Sequence, residues 1–259
     1  MKEGKFRLIE REDLYDTGRL WRLRFEAPDI EARPGQFVNV AVDGHFLRRP
    51  ISVSEYEDGM LSLIIQPVGE GTRRLIASPL GSSHDMLTGL GTGFSLPPHV
   101  EEGHVLLLGG GVGYAPLVGW MKHLFKESPF RPFAVFGFNT QADVPLNHIE
   151  ELREEGYPVV YCTMSGEMGD HGNALEVMDE YIENYGLKPV YYYTCGPMPM
   201  MEAVMKNYGF QGQLSLEARM GCGFGACMGC TVRTANGPRR ICKEGPVFSS
   251  LSLLTDLTT

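Results

Sequence analysis

Four of the six cysteines in this 259-residue chain lie in a short, glycine-rich stretch near its C-terminus. They follow the spacing C-x4-C-x2-C, and the fourth cysteine comes twelve positions later: Cys222, Cys227, Cys230 and Cys242. From about residue 213 onward the sequence has neither helix nor strand periodicity, and a segment this short forms little core of its own. Clustered cysteines in a chain without secretory features indicate a metal centre before disulfides.

The spacing of these cysteines is typical of plant-type two-iron, two-sulfur (2Fe-2S) clusters. Three ligands from one loop need backbone that folds around a compact inorganic core, and the four glycines between residues 221 and 229 provide it. Their N–H groups are also available to the cluster sulfurs. Zinc is the alternative, but its four-cysteine sites usually pair two C-x2-C hairpins. We therefore predict the four cysteines as 2Fe-2S ligands.

The remaining sequence changes character once. Residues 1–100 alternate in short segments separated by Gly and Pro turns, which predicts an antiparallel β-barrel or sandwich. Residues 101–212 alternate strand and helix patterns, including helices over 115–127 and 174–185, which predicts a doubly wound parallel sheet. The predicted fold class is therefore multi-domain α+β, with a barrel over 1–100, a central α/β domain over 101–212 and a small iron-sulfur domain over 213–259.

The charge and hydropathy of the chain limit its partners. The formal net charge of −9 at pH 7 argues against a protein that grips nucleic acid or an anionic membrane. No apolar run approaches the ~20 residues that span a bilayer, and charged residues rather than a signal-peptide core follow Met1. These features predict a cytoplasmic protein with small-molecule or protein partners.

Two turns in the central part could contact a ligand. Gly109, Gly110, Gly111 and Gly113 end a predicted strand where a helix begins, so N–H groups and the helix dipole can meet a phosphate. Pro116 stands where the strict dinucleotide fingerprint has glycine, so a tight structural turn is the alternative. A later strand ends in Cys195, Gly196 and Pro197, at the sheet edge where open α/β sheets bind ligands. The alternative for the lone cysteine is a small buried apolar residue.

Two further motifs lie in the barrel region. Arg49, Pro50, Ile51 and Ser52 place a cation, a stiff ring, an apolar side chain and a hydroxyl on one short strand. Such a set suits a pyrophosphate next to a planar ring. Gly71 and Thr72 open a predicted helix and offer a second set of N–H groups for phosphate.

The order of these motifs along the chain resembles the ferredoxin reductase superfamily, in which an FAD-binding barrel precedes a nicotinamide-binding α/β domain. The C-terminal cysteine segment resembles that of the electron-transfer subunits of type B dihydroorotate dehydrogenases, and the resemblance covers essentially the whole chain. It implies FAD, a 2Fe-2S cluster and NAD as co-substrate. It implies no acid or base residue acting on dihydroorotate, so no catalytic residue is predicted.

The resemblance also implies a role for each motif. Arg49 binds the FAD phosphates, Pro50 and Ile51 border the flavin, and Ser52 contacts its ring. The rest of the flavin site is lined by Ile64, Ile65 and Gln66, with Gly71 and Thr72 at the pyrophosphate. The nicotinamide nucleotide falls to Gly109, Gly110, Gly111, Gly113, Cys195, Gly196 and Pro197.

The function implied is electron transfer from an FMN-containing dihydroorotate dehydrogenase catalytic subunit, through the cluster and FAD, to NAD+ in pyrimidine (UMP) biosynthesis. The assembly implied is a heterotetramer of two plus two subunits. Two alternatives stay open: a related subunit of an NAD(P)H-ferredoxin or sulfide oxidoreductase, and a zinc-binding regulatory protein on a reductase fold. Residues 163–169 replace a more acidic family turn, which makes nucleotide preference the least supported point, although the lack of an Arg near Asn139 favours NADH.

Overall fold

The computed structural model describes residues 1–254, and its N-terminal part is a closed antiparallel barrel with strand order β1-β2-β5-β4-β3-β6. A short helix, α1, connects the fifth and sixth strands. The bounds are β1 Lys2–Asp13, β2 Trp21–Glu26, β3 Phe37–Val40, β4 Arg49–Glu57, β5 Met60–Ile65, α1 Glu70–Ile76 and β6 Ser83–Leu90. The predicted N-terminal barrel is therefore confirmed.

The barrel forms because its strands alternate apolar and polar side chains. In β1, Phe6 and Leu8 are buried, whereas Lys5 before Phe6 and Arg7 between the two are exposed. The interior is filled by large apolar side chains from neighbouring strands, such as Leu23 and Phe25 of β2 together with Leu61 and Leu63 of β5. Period-two alternation thus places one face of every strand inside the barrel.

The central part is a seven-stranded sheet of order β10-β9-β8-β7-β11-β12-β15, parallel except where β15 pairs with β12. Helices cover it. The bounds are β7 Gly103–Gly110, α2 Ala115–Glu127, β8 Phe130–Phe138, α3 Leu146–Glu154, β9 Val159–Thr163, β10 Asp170–His171, α4 Ala174–Tyr185, β11 Pro189–Cys195, α5 Met198–Asn207 and β12 Gly212–Ser215. The predicted doubly wound α/β part is confirmed.

The strand order reverses between β7 and β11, because the chain runs outward from β7 through β8 and β9 to β10 and then returns to the other side of β7. In open α/β sheets, this reversal creates the crevice in which ligands bind. The register pairs Gly109 of β7 with Cys195 of β11. The two turns identified in the sequence therefore leave the sheet side by side.

The C-terminal segment is joined to the central sheet. It contains β13 Thr231–Thr234, β14 Gly237–Arg240, α6 Ile241–Glu244 and β15 Val247–Ser249. Strand β12 spans the predicted boundary at residue 212, and β15 belongs to the same sheet. The division into 1–100, 101–212 and 213–259 stays a prediction, and residues 255–259 lie outside the described residues.

A buried arginine joins the barrel to the α/β part. Arg22 of β2 has a side chain that is 7% exposed, and it pairs with Glu12 of β1 at 2.6 Å and with Glu151 of α3 at 2.8 Å. Burial disfavours the charged form, yet the two carboxylates outweigh burial and raise the pKa of Arg22.

The described residues include no helix long and apolar enough to cross a membrane.

We predict that Arg22→Ala lowers the free energy of unfolding by about 2 kcal/mol, because it leaves two carboxylates facing each other without their shared cation. Chemical denaturation followed by circular dichroism measures the change. Arg7→Ala is the matched control, since Arg7 pairs with Glu26 at 2.7 Å on the exposed barrel surface, where such pairs contribute about 0.5 kcal/mol. Equal losses in the two variants would contradict the role assigned to Arg22.

Candidate functional site

A cavity of about 360 Å³ lies between the barrel, the start of α2 and the segment after β12. Eight of the nine residues predicted for the flavin line this cavity. They are Arg49, Pro50, Ile51, Ser52, Ile64, Ile65, Gln66 and Thr72. The opposite wall comes from residues 215–218 and from Met220 and Pro246. The structure thus brings together motifs from two strands, β4 and β5, and the start of α1.

Gly71, the ninth of these residues, is placed by its contact with Arg49. A Cβ atom at Gly71 would lie 2.2 Å from Nε of Arg49, so the guanidinium crosses directly over the start of α1. The guanidinium also contacts Nδ1 of His45 at 3.0 Å, and Nε2 of His45 is buried without a hydrogen-bond partner. A cation, the first N–H groups of a helix and an unpaired imidazole nitrogen suit a diphosphate, so the residues present fit FAD.

A second cavity, of about 400 Å³, opens at the reversal between β7 and β11. Its lining includes Gly110, Gly111, Gly113, Gly196 and Pro197. The two turns touch, because a Cβ on Gly113 would lie 2.5 Å from the carbonyl oxygen of Cys195. A ligand can therefore approach bare backbone, which suits the diphosphate of a dinucleotide.

Two residues predicted for the nicotinamide nucleotide do not line this cavity. Gly109 packs against the side chain of Phe136 and the backbone of Tyr114. Cys195 is 1% exposed, and burial together with the charge of Glu217 raises the pKa of its thiol. Both residues lie behind the surface that a nucleotide would contact, and their proposed roles stay predictions.

The two cavities share a wall formed by Gln66, Val112 and Glu217. Glu217 lies two residues after the end of β12, and burial raises the pKa of its carboxyl group. Glu217 is not among the predicted site residues, because the sequence pattern predicts no strand after residue 212. The signal that could have identified Glu217 is the buried run from Gln213 to Leu216. This run contains the end of β12, which lies at the edge of the sheet where ligands bind.

The cysteine loop is a compact turn fixed by sulfur and backbone contacts. The N–H groups of Ala226 and Cys227 donate to Sγ of Cys222 at 3.2 and 3.4 Å. The N–H of Cys242 donates to Sγ of Cys230 at 3.4 Å. The loop uses left-handed backbone at Gly223 and Gly225, with φ of 75° and 91°.

The thiols of the loop differ in their electrostatics. Burial opposes ionisation of Cys222, but N–H groups of the loop outweigh it and lower its pKa to about 6. Burial and the neighbouring Cys230 raise the pKa of Cys242 to about 12. In residues 1–254 no group of three or more His, Cys, Asp or Glu side chains is already arranged as a metal site. The ligand assignment stays a prediction, which the thiolate donors and N–H groups of the loop fit.

Comparison with known proteins relates both cavities and the loop to a family. Residues 217–253 match the iron-sulfur cluster binding domain of dihydroorotate dehydrogenase B, and residues 107–206 match an oxidoreductase NAD-binding domain. The dihydroorotate dehydrogenase B (NAD(+)) electron transfer subunit of Shouchella clausii is 34% identical over 257 residues, covering 95% of this chain and 96% of that protein. The chain belongs to this family. The resemblance seen in the motifs is confirmed.

A second member and two solved structures extend this result. The subunit of the same name from Fusobacterium nucleatum is 36% identical over 222 residues, which are 83% of this chain and 84% of that protein. A structure of NADH-dependent reduced ferredoxin-NADP oxidoreductase aligns with a TM-score of 0.84 at 25% identity, covering 97% of this chain and 90% of that chain. Phthalate dioxygenase reductase, at 14% identity, 90% and 87% coverage and a TM-score of 0.64, shows the shared fold.

We predict that Gly71→Ala lowers the flavin content of the purified protein at least several-fold, because its methyl group displaces the Arg49 guanidinium from the start of α1. The ratio of flavin absorbance to protein measures the loss. Gly69→Ala, two residues earlier, is the matched control, since a Cβ there meets nothing within 4 Å and the backbone has a φ of −149°. Full flavin content in Gly71→Ala would show that Arg49 does not hold the flavin phosphates.

Proposed function

We propose that this chain is the electron-transfer subunit of an NAD-dependent, type B dihydroorotate dehydrogenase. It passes electrons from an FMN-containing catalytic subunit through a 2Fe-2S cluster and FAD to NAD+, in pyrimidine biosynthesis. The assembly we propose is a cytoplasmic heterotetramer of two catalytic and two electron-transfer subunits. Relatives that carry this subunit name along nearly their whole length support the assignment.

The observation that carries the proposal is the shared wall between the two cavities. Gln66, Val112 and Glu217 border both of them, so a flavin in one and a nicotinamide in the other would meet across a few side chains. FAD supplies the chemistry that joins a one-electron cluster to a two-electron hydride acceptor. The chain's own residues bind and orient: Arg49 holds phosphate, and the glycine turns give the nucleotide access to backbone N–H groups.

The cysteine segment supports the first step of the pathway within this chain, from the cluster to FAD. Met220 lines the flavin cavity, and Cys222 comes only two residues later. The chain therefore carries the cysteine loop directly from the flavin wall. A cluster there would lie beside the flavin with part of its loop at the surface, since Cys227 is exposed.

A second candidate is a subunit of an NADH-dependent ferredoxin-NADP oxidoreductase. It is favoured by the TM-score of 0.84 and the 97% coverage of this chain by a structure of that enzyme. The two candidates share both cavities and the loop, so they differ in the partner. Co-purification with the native partner, followed by an assay of NAD+ reduction with dihydroorotate or with reduced ferredoxin, separates them.

The visible spectrum tests the cofactors. The purified protein is expected to show flavin bands and broad iron-sulfur absorbance that bleach on addition of NADH. A colourless protein that contains zinc and neither iron nor flavin would refute the proposal.

We predict that Cys227→Ser loses most of the bound iron and acid-labile sulfide while it keeps its flavin, because the exposed loop position can change without disturbing the barrel. Metal analysis and flavin absorbance measure the two contents. Cys162→Ala is the matched control, since Cys162 is fully buried in the sheet and far along the chain from the loop. Full iron content in Cys227→Ser would remove Cys227 from the ligand set.

A further inference from the structure

The connection between β1 and β2, residues 14–20, belongs to the barrel by sequence but packs on the α/β part. Leu14 and Leu20 are buried in the same apolar cluster as Leu117 of α2. The N–H of Asn147 donates to the carbonyl of Leu14 at 3.1 Å, and Nε2 of Gln141 donates to the hydroxyl of Tyr15 at 3.0 Å. This connection is therefore held in place over the turn that follows β8.

Arg19 projects from this connection to the edge of the nicotinamide cavity. Its Nη1 donates to Oδ1 of Asp143 at 2.5 Å, and both residues line the cavity. The N–H and hydroxyl of Thr140 donate to the other carboxylate oxygen of Asp143 at 3.2 and 2.8 Å. Burial opposes ionisation of Asp143, but these partners outweigh it and lower its pKa. The carboxylate is thus fixed, while the Arg19 side chain is 53% exposed and has this carboxylate as its ion-pair partner.

The side chains that line the cavity include more acids than cations, although a dinucleotide is itself negatively charged. Among the described residues that line it, Arg19 is the only cation, whereas Asp143 and Glu217 are acids. A nicotinamide dinucleotide carries two negative charges on its diphosphate. The glycine turns offer dipoles to those phosphates but no formal charge. A guanidinium, by contrast, matches phosphate oxygens in both charge and geometry.

We propose that Arg19 binds the diphosphate of the nicotinamide nucleotide, and that Asp143 competes with the phosphates for its guanidinium. The inference rests on the proposed function, since it requires the nucleotide in this cavity. It assigns a residue of the flavin barrel to the nucleotide site. It also gives the two members of one ion pair opposite effects on affinity.

Arg19→Gln is expected to weaken binding about tenfold, the value of one charge-assisted hydrogen bond. Asp143→Asn is expected to strengthen binding, because it releases the guanidinium and removes a negative charge. If the ion pair only held the connection in place, both variants would weaken binding. The opposite signs therefore separate phosphate binding from a structural role.

Isothermal titration of the FAD- and cluster-loaded protein with ADP-ribose tests the inference, because this probe carries the diphosphate and cannot transfer hydride. Arg19→Lys should retain part of the affinity, and Arg19→Gln should show a shallower dependence of affinity on salt. Arg7→Gln is the matched control, since Arg7 pairs with Glu26 on the exposed barrel surface and should leave affinity unchanged.

The possible results separate failure of this inference from failure of the proposed function. Wild-type affinity in Arg19→Gln, or weakened binding in Asp143→Asn, overturns the inference while the proposed function stands. The same titration with 2′-phospho-ADP-ribose is a further check. If Arg19→Gln loses affinity for this probe but not for ADP-ribose, the inference is also overturned, because Arg19 would then contact the ribose phosphate instead of the diphosphate. If the wild-type protein binds no ADP-ribose, the proposed function fails together with the inference.

Discussion

Both cavities and the cysteine loop depend on the pairing of β12 with β11. The register sets Ser215 opposite Cys195, so the residues after β12 leave the sheet beside the turn at Gly196. Residues 215–218 and Met220 then wall the flavin cavity, and Glu217 also reaches the nicotinamide cavity. Hydrogen bonds along one short strand therefore fix the walls of both cavities and the start of the cysteine segment relative to one another. Strand β15 pairs with the outer edge of β12 and holds it from the other side.

The barrel must also be fixed relative to the sheet, because the motif predicted to bind the flavin lies on its strand β4. Helix α2 packs directly on that strand: a Cβ at Gly119 would lie 2.3 Å from the carbonyl oxygen of Ser54. A glycine in a helix costs about 1 kcal/mol relative to alanine, and here it permits backbone contact that a side chain would prevent. The same helix follows the turn that ends in Gly113. Helix α2 thus links strand β4 to the turn that ends in Gly113. The ion pair of Arg22 with Glu151 and the buried connection before Leu20 add further contacts between the barrel and the α/β part.

The sequence predicted those features whose signal is local. Helices over 115–127 and 174–185 lie at the predicted residues, because each combines a long amphipathic pattern with clear ends. Strands β12 and β15 were missed, since buried strands of four and three residues show no alternation. Eight of the nine residues predicted for the flavin line one cavity, because neighbouring residues on one strand, such as 49–52 of β4, stay together in any fold; their role stays a prediction.

The candidate site was harder to predict wherever it depends on tertiary contact. Arg19 and Asp143 are 124 positions apart, and neither belongs to a motif. Glu217 follows a strand that had not been predicted. Cys195 was assigned to the nucleotide from its place at a strand end, but a strand end does not specify whether the side chain points into the crevice or behind it. In the structure the Cys195 side chain is buried, and the backbone of Cys195 lies against Gly113.

The cysteine loop has one side attached to the barrel and one side open to solvent. Its inner side is attached to the barrel, because Nδ2 of Asn39 donates to the carbonyl of Cys222 at 3.2 Å. Arg240 donates to the carbonyl of Gly225 at 2.5 Å and pairs with Glu244. Cys230 and Cys242 are buried, whereas Cys227 is exposed. A redox centre fixed on one side to the flavin barrel and open on the other can receive electrons at the surface and deliver them inward, which is the order of steps that the proposed function requires.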